Sequence, residues 1–159
     1  MHRLLKTILF FVLLITSNAI QAYDFVVNGI FFKKIDSKTV EVTYENARSS
    51  FGRSVYSSDY SGNIFIPSTI AFGTDNYTVV SIGDHAFSSC NYLSSVVIPS
   101  TVRTIGEEAF SDCKSMKSVK IPNSVLNIGK SAFAGSGITS FSVPNLLKVI
   151  KENTFKDCP

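Results

Sequence analysis

The side chains able to do chemistry in this chain are few. Cys90, Cys113 and Cys158 would form a soft metal site or a disulfide if the fold gathered them. His85 could serve as a base or a ligand, and Glu107-Glu108 resembles the paired carboxylates of acid–base catalysis. Each falls short of a site. His85 has no partner at ligand spacing, and the second histidine is His2, near the start of the chain. Glu107 and Glu108 are adjacent and therefore do not face one another, so they read as a solvated start of a helical turn. The glycines that follow isoleucine are isolated and make no phosphate loop. These residues predict no catalytic group, no metal and no cofactor.

Their spacing points instead to architecture. TIGEEAFSDC (104–113) recurs as SIGDHAFSSC (81–90), as NIGKSAFAGS (127–136) and, weakened, as VIKENTFKDC (149–158). Ile82, Ile105, Ile128 and Ile150 come into register at intervals of 23, 23 and 22 residues, and Phe87, Phe110, Phe133 and Phe155 follow them. A second marker, an apolar residue before proline, falls at Ile66-Pro67, Ile98-Pro99, Ile121-Pro122 and Val143-Pro144. The first interval of that marker is longer, which places an insertion at about 71–79. A period in the low twenties means stacked coils, none of which can bury its apolar side alone.

Within each coil, LSSVVIP, MKSVKIP and ITSFSVP put apolar residues at positions one, four and six. Leu93, Val96, Ile98, Met116, Val119, Ile121, Ile138, Phe141 and Val143 are expected to point inward. Proline ends each strand because it lacks a donor. Gly106 supplies a bend, and EEAF reads as one turn of helix that closes the coil on its convex side. The register puts the cysteines at one corner of successive coils, where Ser136 substitutes, and marks them as small buried packing residues. Free thiols are favoured over a Cys90–Cys113 disulfide, which stays open as an alternative for an exported chain.

The recurrent apolar-Pro, Ile-Gly-x-x-Ala-Phe and following cysteine resemble the BspA-like leucine-rich repeats of bacterial and some protist surface proteins, over about residues 61–159. The resemblance implies an α/β solenoid, a right-handed superhelix with short parallel strands, together with export and surface recognition. It brings no catalytic site. Lys151 in place of glycine and Ser136 in place of cysteine depart from the pattern. The former would cost ~1 to 2 kcal/mol if a left-handed conformation is required there.

The remaining segments complete the plan. Arg3 and Lys6 precede the apolar run Ile8–Ile15, which is short of the ~20 residues of a membrane span, so residues 1–22 read as a signal peptide cut after Ala22 or Ala19. Its loss leaves 13 Lys plus Arg against 12 Asp plus Glu, with no basic run for nucleic acid and no stable membrane span. Residues 23–62 are expected to form an antiparallel hairpin and meander cap, from FVV-NG-IFF through TVEVTY, with a loop over 45–62. The solenoid then occupies 63–159. Its concave strand face would present Asn63, Phe65, Ser95, Val97, Ser118, Lys120, Ser140 and Ser142. Tyr56, Tyr60, Phe72 and Tyr77 form a second candidate surface.

The expected function is that of an exported adhesion or binding module, secreted, at the cell surface or in the periplasm, which meets a protein or glycoconjugate. Self-association through the C-terminal coil is also expected, because Leu146, Val149, Ile150 and Phe155 have nothing after them to pack on. A structural piece of a longer surface protein and a secreted hydrolase are the alternatives.

Overall fold

The computed structural model describes residues 20–50 and 53–159. The signal-peptide reading over 1–22 therefore lies outside the described residues except for Ile20, Gln21 and Ala22. Ile20–Gln21 forms β1, which pairs antiparallel with β5 (Asn46–Ser50) through Ile20–Ala47 and Gln21–Asn46.

Asn28 and Gly29 both have positive φ, 51° and 78°, as a two-residue hairpin turn demands. They join β2 (Phe25–Val27) to β3 (Ile30–Lys34). The next turn is fixed by Asp36, whose Oδ1 accepts from the amides of Lys38 and Thr39 at 2.7 and 2.8 Å. It leads into β4 (Thr39–Val42), antiparallel to β3. The alternation of TVEV buries Val40 and Val42 completely, and β4 then pairs in parallel with β9 (Asp75–Ile82). The meander thus hands its last strand to the repeats.

Four repeats follow. Each runs through a strand, a proline turn, a second short strand and a corner, except that the fourth lacks the second strand. The first strands are β7 (Gly62–Phe65), β10 (Leu93–Val97), β12 (Ser118–Val119) and β14 (Ser140–Phe141). They line up in parallel: β7 pairs β10, Val97 bridges Lys120, and β12 pairs β14. The second strands extend β4: β9, β11 (Thr104–Ile105) and β13 (Asn127–Ile128), with Ile82, Ile105 and Ile128 opposite one another. Between the two come the prolines, whose carbonyls accept from the amide three residues on, as at Val102, Val125 and Leu147. The insertion is a hairpin of β8 (Thr69–Phe72) against β9 that turns at Gly73.

The corners correct the expected helix. No helix occurs among the described residues. Each corner is a run of overlapping turns, with positive φ at His85, Glu108, Ser131 and Asn153 and again at Ser89, Asp112, Gly135 and Asp157. That conformation costs a non-glycine residue ~1 to 2 kcal/mol. The offset comes from the neighbouring repeat. Amides of His85, Phe87 and Ser89 donate to the carbonyls of Glu107, Ala109 and Ser111 at 2.8–2.9 Å. Those of Glu108, Phe110 and Asp112 donate in turn to Lys130, Ala132 and Ala134. An α-helix would spend the same amides four residues back and leave the repeats unjoined.

The three walls enclose an apolar core. Phe87, Phe110, Phe133 and Phe155 stack in a column with centroids 5.0, 5.3 and 5.6 Å apart and planes within 6°. Tyr60 closes the column, 4.6 Å from Phe87, and its hydroxyl accepts from the Phe31 amide and donates to the Thr43 carbonyl. Leu93, Val96, Ile98, Met116, Val119, Ile121 and Ile138 are buried as their spacing predicts. Val143 is not. It is 56% exposed, because the fourth repeat packs only in part: Val149 and Ile150 form no strand against β13.

The glycines also act otherwise than expected. Gly83, Gly106 and Gly129 have no positive φ. They mark the closest approach of the repeats: a Cβ on Gly106 would lie 2.5 Å from the Asp84 amide nitrogen and 2.6 Å from the Gly83 carbonyl carbon. Lys151 likewise avoids the left-handed region, so the cost anticipated for it does not arise in that form.

Candidate binding surface

The cysteines are packing residues whose thiols each reach a backbone carbonyl. The Cys113 thiol donates to the Phe87 carbonyl at 3.1 Å and Cys158 to Phe133 at 3.2 Å, one repeat back, while Cys90 donates to Ser58 at 3.3 Å. All three are free thiols. Burial pushes the Cys90 thiol up to about 12 and raises Cys113 as well, so neither is a nucleophile at neutral pH. Ser136, in the cysteine slot of its repeat, is buried with its hydroxyl 3.5 Å from the Cys158 sulfur.

His85 is less open to solvent than its variable repeat position suggests. Its ring stacks on Tyr56, centroids 3.8 Å apart and planes nearly parallel at 8°, and Nδ1 is 3.4 Å from Glu108 Oε2. Residues 45–62, read as a loop, contain β5 and β6 (Arg53–Ser57) in an antiparallel hairpin, and Tyr56 of that hairpin covers the histidine. Among the described residues no three His, Cys, Asp or Glu side chains cluster as metal ligands would. The second candidate surface dissolves for a related reason. Tyr60 and Tyr77 are buried, at 5% and 3% exposure, which leaves Phe72, 45% exposed and stacked on Phe25 at 4.3 Å, without them.

Seven of the eight residues predicted for the concave face fall on paired or bridged strand positions, and the eighth, Ser142, is exposed just after β14. Register places Asn63, Ser95, Ser118 and Ser140 in one row across β7, β10, β12 and β14. Phe65, Val97 and Lys120 make the second row. Inward neighbours along each strand, such as Val96 and Val119, anchor the sheet in the core, so alternation turns these residues outward. The Ser95 hydroxyl donates to Asn63 Oδ1 at 2.7 Å. Phe65 is 70% exposed and Val97 53% exposed, side by side, with Lys120 next in the row. The surface pairs an apolar patch with a neutral hydroxyl strip.

One member was missed. Tyr92, 80% exposed, precedes β10, and its carbonyl accepts from the Gly62 amide at 2.9 Å. That bond sets the tyrosine beside the start of β7, at the edge of the same sheet. Its signal was present: the equivalent position in the next repeat is Ser115, and a large aromatic in a small-residue column has no packing reason.

The repeat unit seen in this geometry is a known one. The family model for the BspA type leucine rich repeat region (6 copies) matches residues 80–159, half of the chain. The chain belongs to the BspA-type leucine-rich-repeat family. No curated protein matches the sequence. Solved structures agree on the fold. A leucine-rich repeat protein from Bacteroides ovatus is 28% identical with a TM-score of 0.58, over 84% of this chain and 38% of its own. A leucine rich cell surface protein from Faecalibacterium prausnitzii is 28% identical with a TM-score of 0.56, over 76% of this chain and 28% of its own. The leucine rich repeat protein of T. pallidum shares the fold, with a TM-score of 0.60 at 21% identity, over 85% of this chain and 67% of its own. This leucine-rich-repeat chain thus spans well under half the length of the first two. No helix among its described residues is long and apolar enough to cross a membrane.

Proposed function

We propose that this leucine-rich-repeat chain is an exported, non-catalytic binding module that adheres to a protein or glycoconjugate at a cell surface. Its repeats form a right-handed solenoid, and the exposed face of β7, β10, β12 and β14 is the contact surface. The observation that carries the reading is the exposure of Phe65 and Val97, side by side on strands whose alternate residues are locked in the core, with Tyr92 exposed at the other end of the same strand pair. Exposed aromatic side chains on a rigid frame bind with little ordering cost and supply most of the energy at protein interfaces. The cell-surface relative from F. prausnitzii agrees in kind.

The test is a Phe65→Ser/Tyr92→Ser double variant, screened with the parent chain against purified surface and extracellular-matrix proteins by biolayer interferometry. Both side chains are exposed, so folding should be unaffected. Loss of tenfold or more in affinity for whichever protein binds the parent supports the reading, and unchanged affinity sinks it. A second reading, a structural piece of a longer surface protein, is favoured by the small share of its relatives that the chain spans.

A further inference from the structure

Away from that sheet face, the junction of the meander with the first two repeats holds a cavity of about 560 Å³. Tyr23 and Tyr44 stand in its wall, flanking β2 and following β4. Lys33 and Glu41 face each other across β3 and β4, Nζ to Oε1 4.0 Å. Asp84 enters from the first corner and Thr104 from β11. The cavity does not end there. Asp84, Thr104 and Gly106 also border a second hollow of about 210 Å³, whose further wall carries Glu107, Asn127 and Lys130. The two make one open trough that runs from the meander across successive repeats.

The groups in the trough restrict what can lie in it. Charged side chains along both hollows exclude a lipid or another apolar ligand. A polyanion would meet the carboxylates of Glu41, Asp84 and Glu107, and a bare cation would meet Lys33 and Lys130. The ligand chemistry that satisfies alternating anionic, cationic and hydroxyl groups is one in which each polar group both donates and accepts, and that is the hydroxyl. Tyr23, packed on Phe31 at 4.8 Å, and Tyr44, packed on Tyr56 at 4.9 Å, line one end, and the ring surface they leave to the cavity is apolar with a polar edge, suited to the C–H face of a pyranose. The carboxylates are also held in place. Asp84 Oδ1 accepts from the Glu107 amide at 2.7 Å, and Glu41 is half-buried, its carboxyl raised by burial against the opposing effect of Lys33.

We infer that this trough binds a neutral oligosaccharide, one ring seated between Tyr23 and Tyr44 and the following units lying along Asp84, Thr104 and Asn127. The site is separate from the Phe65 face and does not depend on the reading given to it.

The experiment titrates the purified chain with neutral hexasaccharides of the α-glucan, β-glucan, xylan and mannan types, and with a hexauronate as the charged comparison. The chain has no tryptophan and six tyrosines, so tyrosine emission reports binding directly, with calorimetry alongside. The expected result is a Kd on the order of 0.1–1 mM for at least one neutral chain, and at least tenfold weaker binding of the hexauronate. Asp84→Asn, which keeps an acceptor oxygen for the Glu107 amide, is expected to weaken binding about tenfold, the scale of one hydrogen bond to a charged group, and Tyr44→Ala, which removes a stacking ring, about tenfold as well. Phe65→Ser should leave it unchanged. No emission change or heat with any neutral hexasaccharide at 5 mM, roughly five times the weakest Kd expected, would overturn the inference. So would preference for the hexauronate, or binding lost with Phe65→Ser but kept in the two trough variants. Should Tyr44→Ala fail to fold, Asp84→Asn with Lys33→Ala carries the same decision.

Discussion

Replacing Gly129 by alanine tests what holds one repeat to the next. Its backbone is ordinary, so the added methyl brings no conformational penalty of the left-handed kind. It would, however, lie 2.4 Å from the Glu107 amide nitrogen, 2.4 Å from the Gly106 carbonyl carbon and 2.6 Å from the Gly106 oxygen. All three are backbone atoms and none can rotate away. An ordinary contact needs at least 3.4 Å, so the third repeat must retreat from the second by about 1 Å. The bonds that straddle this gap are Gly129 N to Ile105 O at 2.8 Å, Leu126 N to Arg103 O at 2.9 Å and Glu108 N to Lys130 O at 3.0 Å. An opening of that size breaks two or three of them, each worth ~0.5 to 1.5 kcal/mol net, for a loss of ~1 to 4.5 kcal/mol, about 2.5 at the centre of both ranges. Gly62→Ala is the control. Gly62 has a φ of 67° and open space around the added atom, so only the left-handed cost of ~1 to 2 kcal/mol applies. Urea titration followed by circular dichroism measures both. If Gly129→Ala proves no more harmful than Gly62→Ala, close approach is not what the glycine column is for.

The same crowding accounts for the fourth repeat. Lys151 stands in the glycine column, and Val149 and Ile150 ahead of it remain 64% and 50% exposed, without strand pairing to Asn127 and Ile128. The corner wall still docks: Ser131, Phe133 and Gly135 donate to Glu152, Thr154 and Lys156. Lys151→Gly is therefore expected to let Ile150 close onto Ile128 and to stabilise the chain by ~1 kcal/mol, roughly half the burial of an isoleucine side chain.

Other outcomes follow from the same geometry. Phe110→Ala removes the middle of the aromatic column and should cost ~3 to 5 kcal/mol in the same titration, whereas Glu108→Ala, which keeps the positive φ strain and loses only a half-exposed side chain, should stay within ~0.5 kcal/mol. In the folded protein, iodoacetamide at pH 8 should label Cys158 first; Cys90 and Cys113 should react at least ~1,000-fold more slowly than in denaturant, and mass spectrometry of timed samples reads the order. Burial, reduced by Lys33 and reinforced by Asp84, holds Glu41 above the ordinary glutamate range, so the folded state binds its proton more tightly than the unfolded one. Its favourable contribution is full below that range and is withdrawn as pH rises through the raised value; Glu41→Gln should accordingly gain stability relative to the parent between pH 4 and pH 7, and a parallel pair of pH–stability curves would refute the assignment. Val143, Leu146, Val149 and Ile150 together expose an apolar surface, from which we propose concentration-dependent self-association; Leu146→Ser/Val149→Ser should abolish it in sedimentation equilibrium.

What the sequence disclosed divides along the repeat columns. A column position is read several times over, so the burial of Phe87, Phe110 and Phe133, the alignment of Asn63 with Ser95 and of Ser118 with Ser140, and the packing role of the cysteines all followed from spacing alone. The corners did not. EEAF has local helix-forming residues, and local propensity assigns its amides to carbonyls four residues back. The competing partners are the carbonyls of the next repeat, 21 or 22 residues away, and these outweigh propensity only once several repeats stack. The glycine column shows the complementary error. Its regularity was visible, but a glycine retained for a bend and a glycine retained for a neighbour's backbone leave the same mark in one sequence, and only the φ angles and the 2.4–2.6 Å distances separate them.

The trough lay beyond reach for a third reason. Tyr23, Lys33, Glu41 and Tyr44 belong to the non-repeating meander, while Asp84, Thr104 and Asn127 belong to successive repeats. No period connects the two groups. They meet because β4, an antiparallel strand on one side, continues as a parallel strand on the other, so that Glu41 comes to lie opposite Ser81. The bulge between Val40 and Glu41 in that pairing sets which residues face the gap. A cap that only covered an apolar end would need its buried valines and no more. The outward residues of this one meet the repeats in a polar cleft, and that junction makes the meander part of a recognition surface as well as a lid on the core.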